Sequence, residues 1–132
     1  MITIEQLKEI QQRADKLKQY LAIDEKRVQL EEEELRTQDP GFWEDAKAAE
    51  AQMRKVKGIK AWIEGYEGVR AATEELQLAF DYCKEELVTE EEVDAAYAHA
   101  LKEVESLEMK NMLSHEEDQM PAVLKIVSGA GG

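Results

Sequence analysis

Apolar residues recur every seven positions along the first part of this chain, and that period commits it to long packed helices. Leu7, Ala14, Leu21, Val28 and Leu35 are spaced by seven, and Ile10 and Leu17 sit three residues after two of them. An α-helix turns once per 3.6 residues, so this spacing draws one coiled-coil-like seam. It predicts a single helix from about Ile4 to Arg36, opened by a capping box of Thr3 and Gln6. The second seam row fails at Asp24 and Glu31. The far end of the helix is therefore expected to bury a narrower face and to project further into water.

Asp39, Pro40 and Gly41 end that helix, because the residue before proline is pushed out of helical geometry and glycine frees the turn. Phe42 and Trp43 follow, and two large aromatics beside a tight turn are expected to pack back onto the first helix. A second helix is predicted from about Glu44 to Leu87. Its stripe is Met53, Val56, Ile63, Tyr66, Val69, Leu76, Phe80, Cys83 and Leu87. Gly58, Gly65 and Gly68 lie inside it, which leaves two readings: a break between Lys57 and Val69, or a close helix–helix approach. Thr89 and Glu92 form a second capping box. They open a third helix with the seam Val93, Tyr97, Ala100, Val104 and Leu107, predicted to end near Leu113.

The fold class that follows is all-α, an elongated antiparallel bundle of three long helices with coiled-coil-like packing. A short C-terminal β segment, Val123 to Val127, then leads into Gly129, Gly131 and Gly132. A strand without a partner is half a motif. Residues 1–117 are accordingly expected to be a helical domain, and 118–132 a linker and the first strand of a second domain that continues in a longer protein. Alone, that strand is expected to be disordered or to borrow an edge, since isolated strands are marginal in water.

Charge narrows the function classes. With 17 Lys and Arg against 30 Asp and Glu among 132 residues, the net charge is −13. Binding of nucleic acid through the broad surface is disfavoured, because that binding is largely neutralisation of phosphates; a protein partner with a basic patch is the easier fit. Cys83 is the one cysteine, so no internal disulfide forms. This suits a reducing cytoplasm. No apolar run is long enough to span a membrane, and Met1 to Glu9 lacks the layout of a signal peptide, so a cytosolic protein is expected.

Catalytic chemistry finds little to work with. His99 and Glu103 share a helix face but are too few ligands for a metal. His115, Glu116, Glu117 and Asp118 lack the alternating oxygens and turn glycine of a calcium loop. Glu31 to Glu34 point all around a helix and cannot converge on one substrate. The terminal glycines lack the following helix that a phosphate cradle requires. No catalytic, metal or cofactor-binding residue is assigned.

Several short stretches nonetheless occur in a recognisable order. Leu17-Lys18-Gln19-Tyr20-Leu21 leads into Asp24-Glu25-Lys26; then comes Asp39-Pro40-Gly41-Phe42-Trp43. Met112-Leu113-Ser114, Glu117-Asp118 and Gly129-Ala130-Gly131-Gly132 complete the order. Together they resemble the release factor 2 family of bacterial class I peptide chain release factors. Trp43 in the turn separates this pattern from release factor 1. Ala22 after Leu21 departs from the Leu-Asp found where many genes of the family carry a programmed frameshift. Ser128-Gly129-Ala130-Gly131-Gly132 looks like the family's catalytic Gly-Gly-Gln loop without its glutamine, but in the family that loop follows a whole further domain. The Ser-Pro-Phe decoding motif is missing.

The resemblance implies a role in translation termination at UAA and UGA. Peptide release and decoding, with the contacts to rRNA and the mRNA stop codon, would lie in domains outside this chain. The helical domain would reach toward the stalk base of the large ribosomal subunit, in the GTPase-associated centre, and communicate with the GTPase release factor. Neither a cofactor nor a membrane is implied. The expected contact surface is the hairpin tip and the acidic end of helix one: Glu31, Glu32, Glu33, Glu34, Asp39, Phe42 and Trp43. The competing expectation is a cytosolic helical-hairpin adaptor or chaperone-like coiled coil, which would self-associate. A metal- or phosphate-dependent enzyme fragment, the third class, would be stabilised by its ligand.

Overall fold

The first seam does not make one helix. In the computed structural model, which describes residues 1–119 and the side-chain surroundings of residues 1–115, the chain forms α1 over Ile4–Tyr20 and α2 over Ile23–Arg36. Between them Ala22 adopts the left-handed conformation, at φ 49° and ψ 53°. The reason is packing. Leu21 and Ile23 are both buried, at 3% and 0% exposure. In a continuous helix two such positions lie about 200° apart, on opposite faces. A left-handed residue between them turns both inward, at a backbone cost of about 1–2 kcal/mol for an L-residue. The Lys26 ammonium donates to the Leu21 carbonyl, one of the acceptors exposed by the break.

That break resets the register of the second half. The predicted seam positions Val28 and Leu35 are each 58% exposed. The inward row of α2 is instead Ile23, Lys26, Leu30, Glu33 and Thr37, again alternating three and four. The expectation of a narrower buried face holds, but the face is a different one.

A short 3-10 turn, Phe42–Glu44, leads into α3, Ala46–Lys84, which is capped by Asp45 accepting from the Lys47 and Ala48 amides. At 39 residues α3 spans about 58 Å and is unbroken. The reading of its glycines as a break is therefore overturned. A Cβ on Gly65 would stand 3.0 Å from Leu107 Cδ1, and one on Gly68 would stand 3.3 Å from Glu103 Oε2. These two glycines let the next helix approach, whereas Gly58 faces open space. Met53 and Leu87, assigned to the stripe, are 44% and 67% exposed. Leu87 falls in the turn beyond the helix, where Glu86 takes a positive φ of 61°.

The last helix, α4, runs Glu90–Gln119, past the predicted end at Leu113. Its capping box is formed: the Glu92 amide donates to Thr89 Oγ1 at 3.1 Å, and the Thr89 amide donates to Glu92 Oε2 at 3.2 Å. Among the described residues the bundle thus holds four α-helices where three were expected. Helices α1 and α4 run parallel, and α3 runs antiparallel to both. Arg13 binds Glu108 through two nitrogens, and Gln11 donates to Gln77 Oε1 at 2.6 Å. The predicted strand Val123–Val127 and the glycines after it lie outside the described residues.

The core joins α1, α3 and α4. Leu7, Ile10, Ala14 and Leu17 meet Tyr66, Val69, Leu76 and Phe80, with Val93, Ala100, Val104 and Leu107 closing the third side. Each fully buried Leu or Val contributes about 1.5–3 kcal/mol. Cys83 packs at the margin of this core. Farther along α3, Ala49, Val56 and Ile59 are buried where α2 packs beside them. Glycine is thus missing at Ala22 and superfluous at Gly58. Ala22→Gly and Gly58→Ala should each raise stability by about 1 kcal/mol, read as an increased midpoint of urea denaturation.

A candidate interaction surface at the hairpin tip

The connection between α2 and α3 is a tight turn. Phe42 N–H donates to the Asp39 carbonyl at 2.9 Å, and Gly41 N–H donates to Asp39 Oδ1 at 3.0 Å. Proline occupies the second position of that turn and Gly41 the third, with φ −83° and ψ −3°. These are type I values open to any residue, so the glycine's freedom is unused. Asp39 consequently spends its carboxylate on its own turn.

Phe42 and Trp43 meet edge to face, with centroids 4.7 Å apart. Trp43 is 65% exposed while Phe42 is half-buried, which corrects the expectation that both pack onto the first helix. Adjacent residues of a 3-10 turn point about 120° apart, so only one ring can face the hairpin.

The four glutamates divide sharply. Glu31 and Glu32 are exposed, and Glu34 is half-buried with Lys60 Nζ 3.9 Å away. Glu33 is turned inward and 5% exposed. Its carboxylate accepts from Gln52 Nε2 at 2.5 Å and lies 3.2 Å from Lys55 Nζ and 3.8 Å from Arg36. The Gln52 hydrogen bond, aided by Lys55 and Arg36, holds the Glu33 carboxyl below its ordinary value. Glu67, beside Arg70 and Arg27, is lowered in the same way. Glu33 is thus a strut between α2 and α3, and of the predicted contact residues it is not on the surface.

Two features escaped the sequence reading. Val28 and Leu35 stand exposed on the same outer face of α2 as Glu31 and Glu32. The first half of α3 carries Lys47, Arg54, Lys55, Lys57 and Lys60 against two carboxylates, Glu50 and Glu64. Counting charge over short segments rather than over the whole chain would have exposed this second feature. A groove of about 560 Å³ lies elsewhere, between α3 and α4, and is lined mainly by Leu78, Tyr82, Val88 and Ala96 with Glu75, Glu92 and His99. Among the described residues, no three His, Cys, Asp or Glu side chains gather as a metal site, and no helix is long and apolar enough to cross a membrane.

The PCRF domain family matches residues 25–132. The chain is similar to peptide chain release factor 2 of Pseudoalteromonas translucida (strain TAC 125), at 30% identity, covering 98% of this chain and 36% of that protein. It is also similar to peptide chain release factor 2 of Acidithiobacillus ferrooxidans, at 34% identity over 94% of this chain and 34% of that protein. A third such similarity is to peptide chain release factor 2 of Listeria innocua serovar 6a, at 28% identity over 94% and 35%. The chain therefore spans about a third of the length of these relatives. No solved structure matches it.

The Glu33 strut has a pH signature. A carboxyl lowered in the folded chain stabilises it fully above the ordinary value of 4.5, and that contribution is lost as pH falls through the folded value. Thermal midpoints should therefore drop as pH is lowered below about 4.5. Glu33→Gln should lower the neutral-pH midpoint and flatten part of this acid dependence, while Glu32→Gln changes neither.

Proposed function

Because the chain belongs to the PCRF domain family, as its match over residues 25–132 shows, we propose that it is the helical first domain of a class I peptide chain release factor acting in translation termination. In this reading residues 1–117 form the domain. Reading of UAA and UGA, and peptidyl-tRNA hydrolysis by a Gly-Gly-Gln loop, belong to other parts of the whole protein. This bundle then serves as an attachment and positioning arm in the cytoplasm, with the ribosome as partner and no catalysis of its own.

The family match carries the proposal, and the hairpin geometry supports a contact role. The outer face of α2 offers the carboxylates Glu31 and Glu32 around the exposed apolar Val28 and Leu35. Such a mixed surface suits a basic protein, with charges steering approach and apolar groups supplying contact area. The stalk-base protein of the large subunit is the partner we assign to it, and the GTPase release factor is the second. Trp43 extends the surface at the tip; Asp39 and Glu33 act behind it, shaping the turn and bracing the hairpin.

A cytosolic adaptor is the alternative, favoured by the apolar groove between α3 and α4 with its exposed Leu78 and Tyr82. It requires concentration-dependent self-association, which the release-factor reading does not.

Charge reversal of the exposed pair, Glu31→Lys with Glu32→Lys, tests the contact. Affinity of the chain for the isolated stalk-base protein should fall roughly three- to tenfold at low salt, and the difference should shrink as salt screens it. Unchanged affinity at low salt would sink the assignment.

A further inference from the structure

The end of α3 away from the hairpin tip lies in a strongly acidic part of the chain. Between residues 74 and 99 there are nine carboxylates and one basic side chain, Lys84, which sits over the Phe80 ring at 5.0 Å from its centroid. Here α3 and α4 leave the groove of about 560 Å³ between them. Leu78 and Tyr82 wall it and are 52% and 45% exposed, and the small side chains of Ala79, Ala95 and Ala96 line it between. Leu87, exposed in the turn, is held beside Tyr82, because its amide donates to the Tyr82 carbonyl at 2.9 Å. Glu75 and Glu92 line the same groove and are exposed, with no Lys or Arg among the lining residues. On α4 the first cation, Lys102, comes after the groove ends at His99.

We propose that this groove receives an amphipathic helix of a protein partner, with large apolar side chains on its inner face and Lys or Arg on its flanks. The apolar lining and the acidic surround supply the two parts of a protein interface, a centre that can be desolvated and a charged rim. A furrow between two antiparallel helices fits the ridges of a third, and the alanines let its backbone come close. The lining runs from Glu75 to Tyr82 on α3 and from Glu92 to His99 on α4, about 10 Å or two turns along each. The partner therefore presents apolar residues at i, i+3 or i+4, and i+7. Charge excludes the other occupants. Two copies of this face set like charges against each other, and nucleic acid is repelled in the same way. The inference goes beyond the contact assigned to α2 and does not depend on it, since the two surfaces share no residue.

The test is a titration of the isotope-labelled full chain, followed by amide NMR, with a synthetic peptide of about 18 residues that places leucines on one helical face and lysines on the other. A second peptide of the same composition spreads the leucines around the helix. Amide shifts should centre on residues 75–99, and the spread peptide should bind at least about tenfold more weakly. Leu78→Ala with Tyr82→Ala should lower affinity for the first peptide at least about tenfold. Glu75→Gln with Glu92→Gln should lower it about threefold at about 50 mM salt, a difference lost at high salt. All four changes are at exposed positions, glutamine keeps the capping box at Thr89, and an unaltered helical circular dichroism spectrum verifies the fold. Absence of binding, equal binding of both peptides, shifts centred on Val28 to Leu35, or undiminished binding by the Leu78 and Tyr82 double variant overturns the proposal. Groove amides that shift with chain concentration before any peptide is added also overturn it, in favour of a second copy of the chain.

Discussion

Burying two side chains that are two residues apart sets the architecture. Leu21 closes the core row of α1, and Ile23 opens that of α2; both are excluded from water. A continuous helix cannot do this, so the backbone spends one left-handed residue at Ala22. Everything along α2 follows from that turn. Glu33 comes to face Gln52 and Lys55, Val28 and Leu35 rotate out, and Glu31 and Glu32 are left on a common outer face. The surface offered to a partner is thus a by-product of how the core is closed one turn earlier.

Continuity of α3 is the complementary constraint. Its second half completes the core with α1 and α4, while its first half packs beside α2 and reaches α4 at Trp62, which lies under Lys110. Gly65 and Gly68 sit where α4 presses closest, and the backbone entropy they cost is offset by that approach. In the arm formed by α2 and the first half of α3, Glu31 and Glu32 stand on the outer face of α2, while α3 exposes cations together with Glu50 and Glu64. The inter-helix pairs Glu33–Lys55 and Arg27–Glu67 tie the two together.

Much of this was legible in the residues. The heptad spacing of Leu7, Ala14 and Leu21 and the run from Val93 to Leu107 identified the core. Thr3–Gln6 and Thr89–Glu92 marked two helix starts that the hydrogen bonds reproduce. Asp39-Pro40-Gly41 marked the hairpin. The break at Ala22 was hidden because alanine is the best helix former and nothing local asks it to turn; only the demand of Ile23 for burial does. The exposure of Trp43 was hidden for a similar reason, since hydrophobicity alone does not say which of two adjacent rings a 3-10 turn will aim inward. The cluster of cations in early α3 was masked by averaging its charge into a total of −13.

The antiparallel register of the arm has a consequence for how its length can vary. Partners run in opposite directions along α2 and α3: Arg27 reaches Glu67, and Glu33, farther along α2, reaches the earlier Lys55. Removing one residue from either helix would rotate all that follows by about 100° and carry Glu33 away from its partners. Insertions and deletions are therefore tolerated only as matched pairs, near seven residues in each helix at once. Among natural variants the arm should come in discrete lengths, with its reach quantised by the heptad rather than drifting residue by residue.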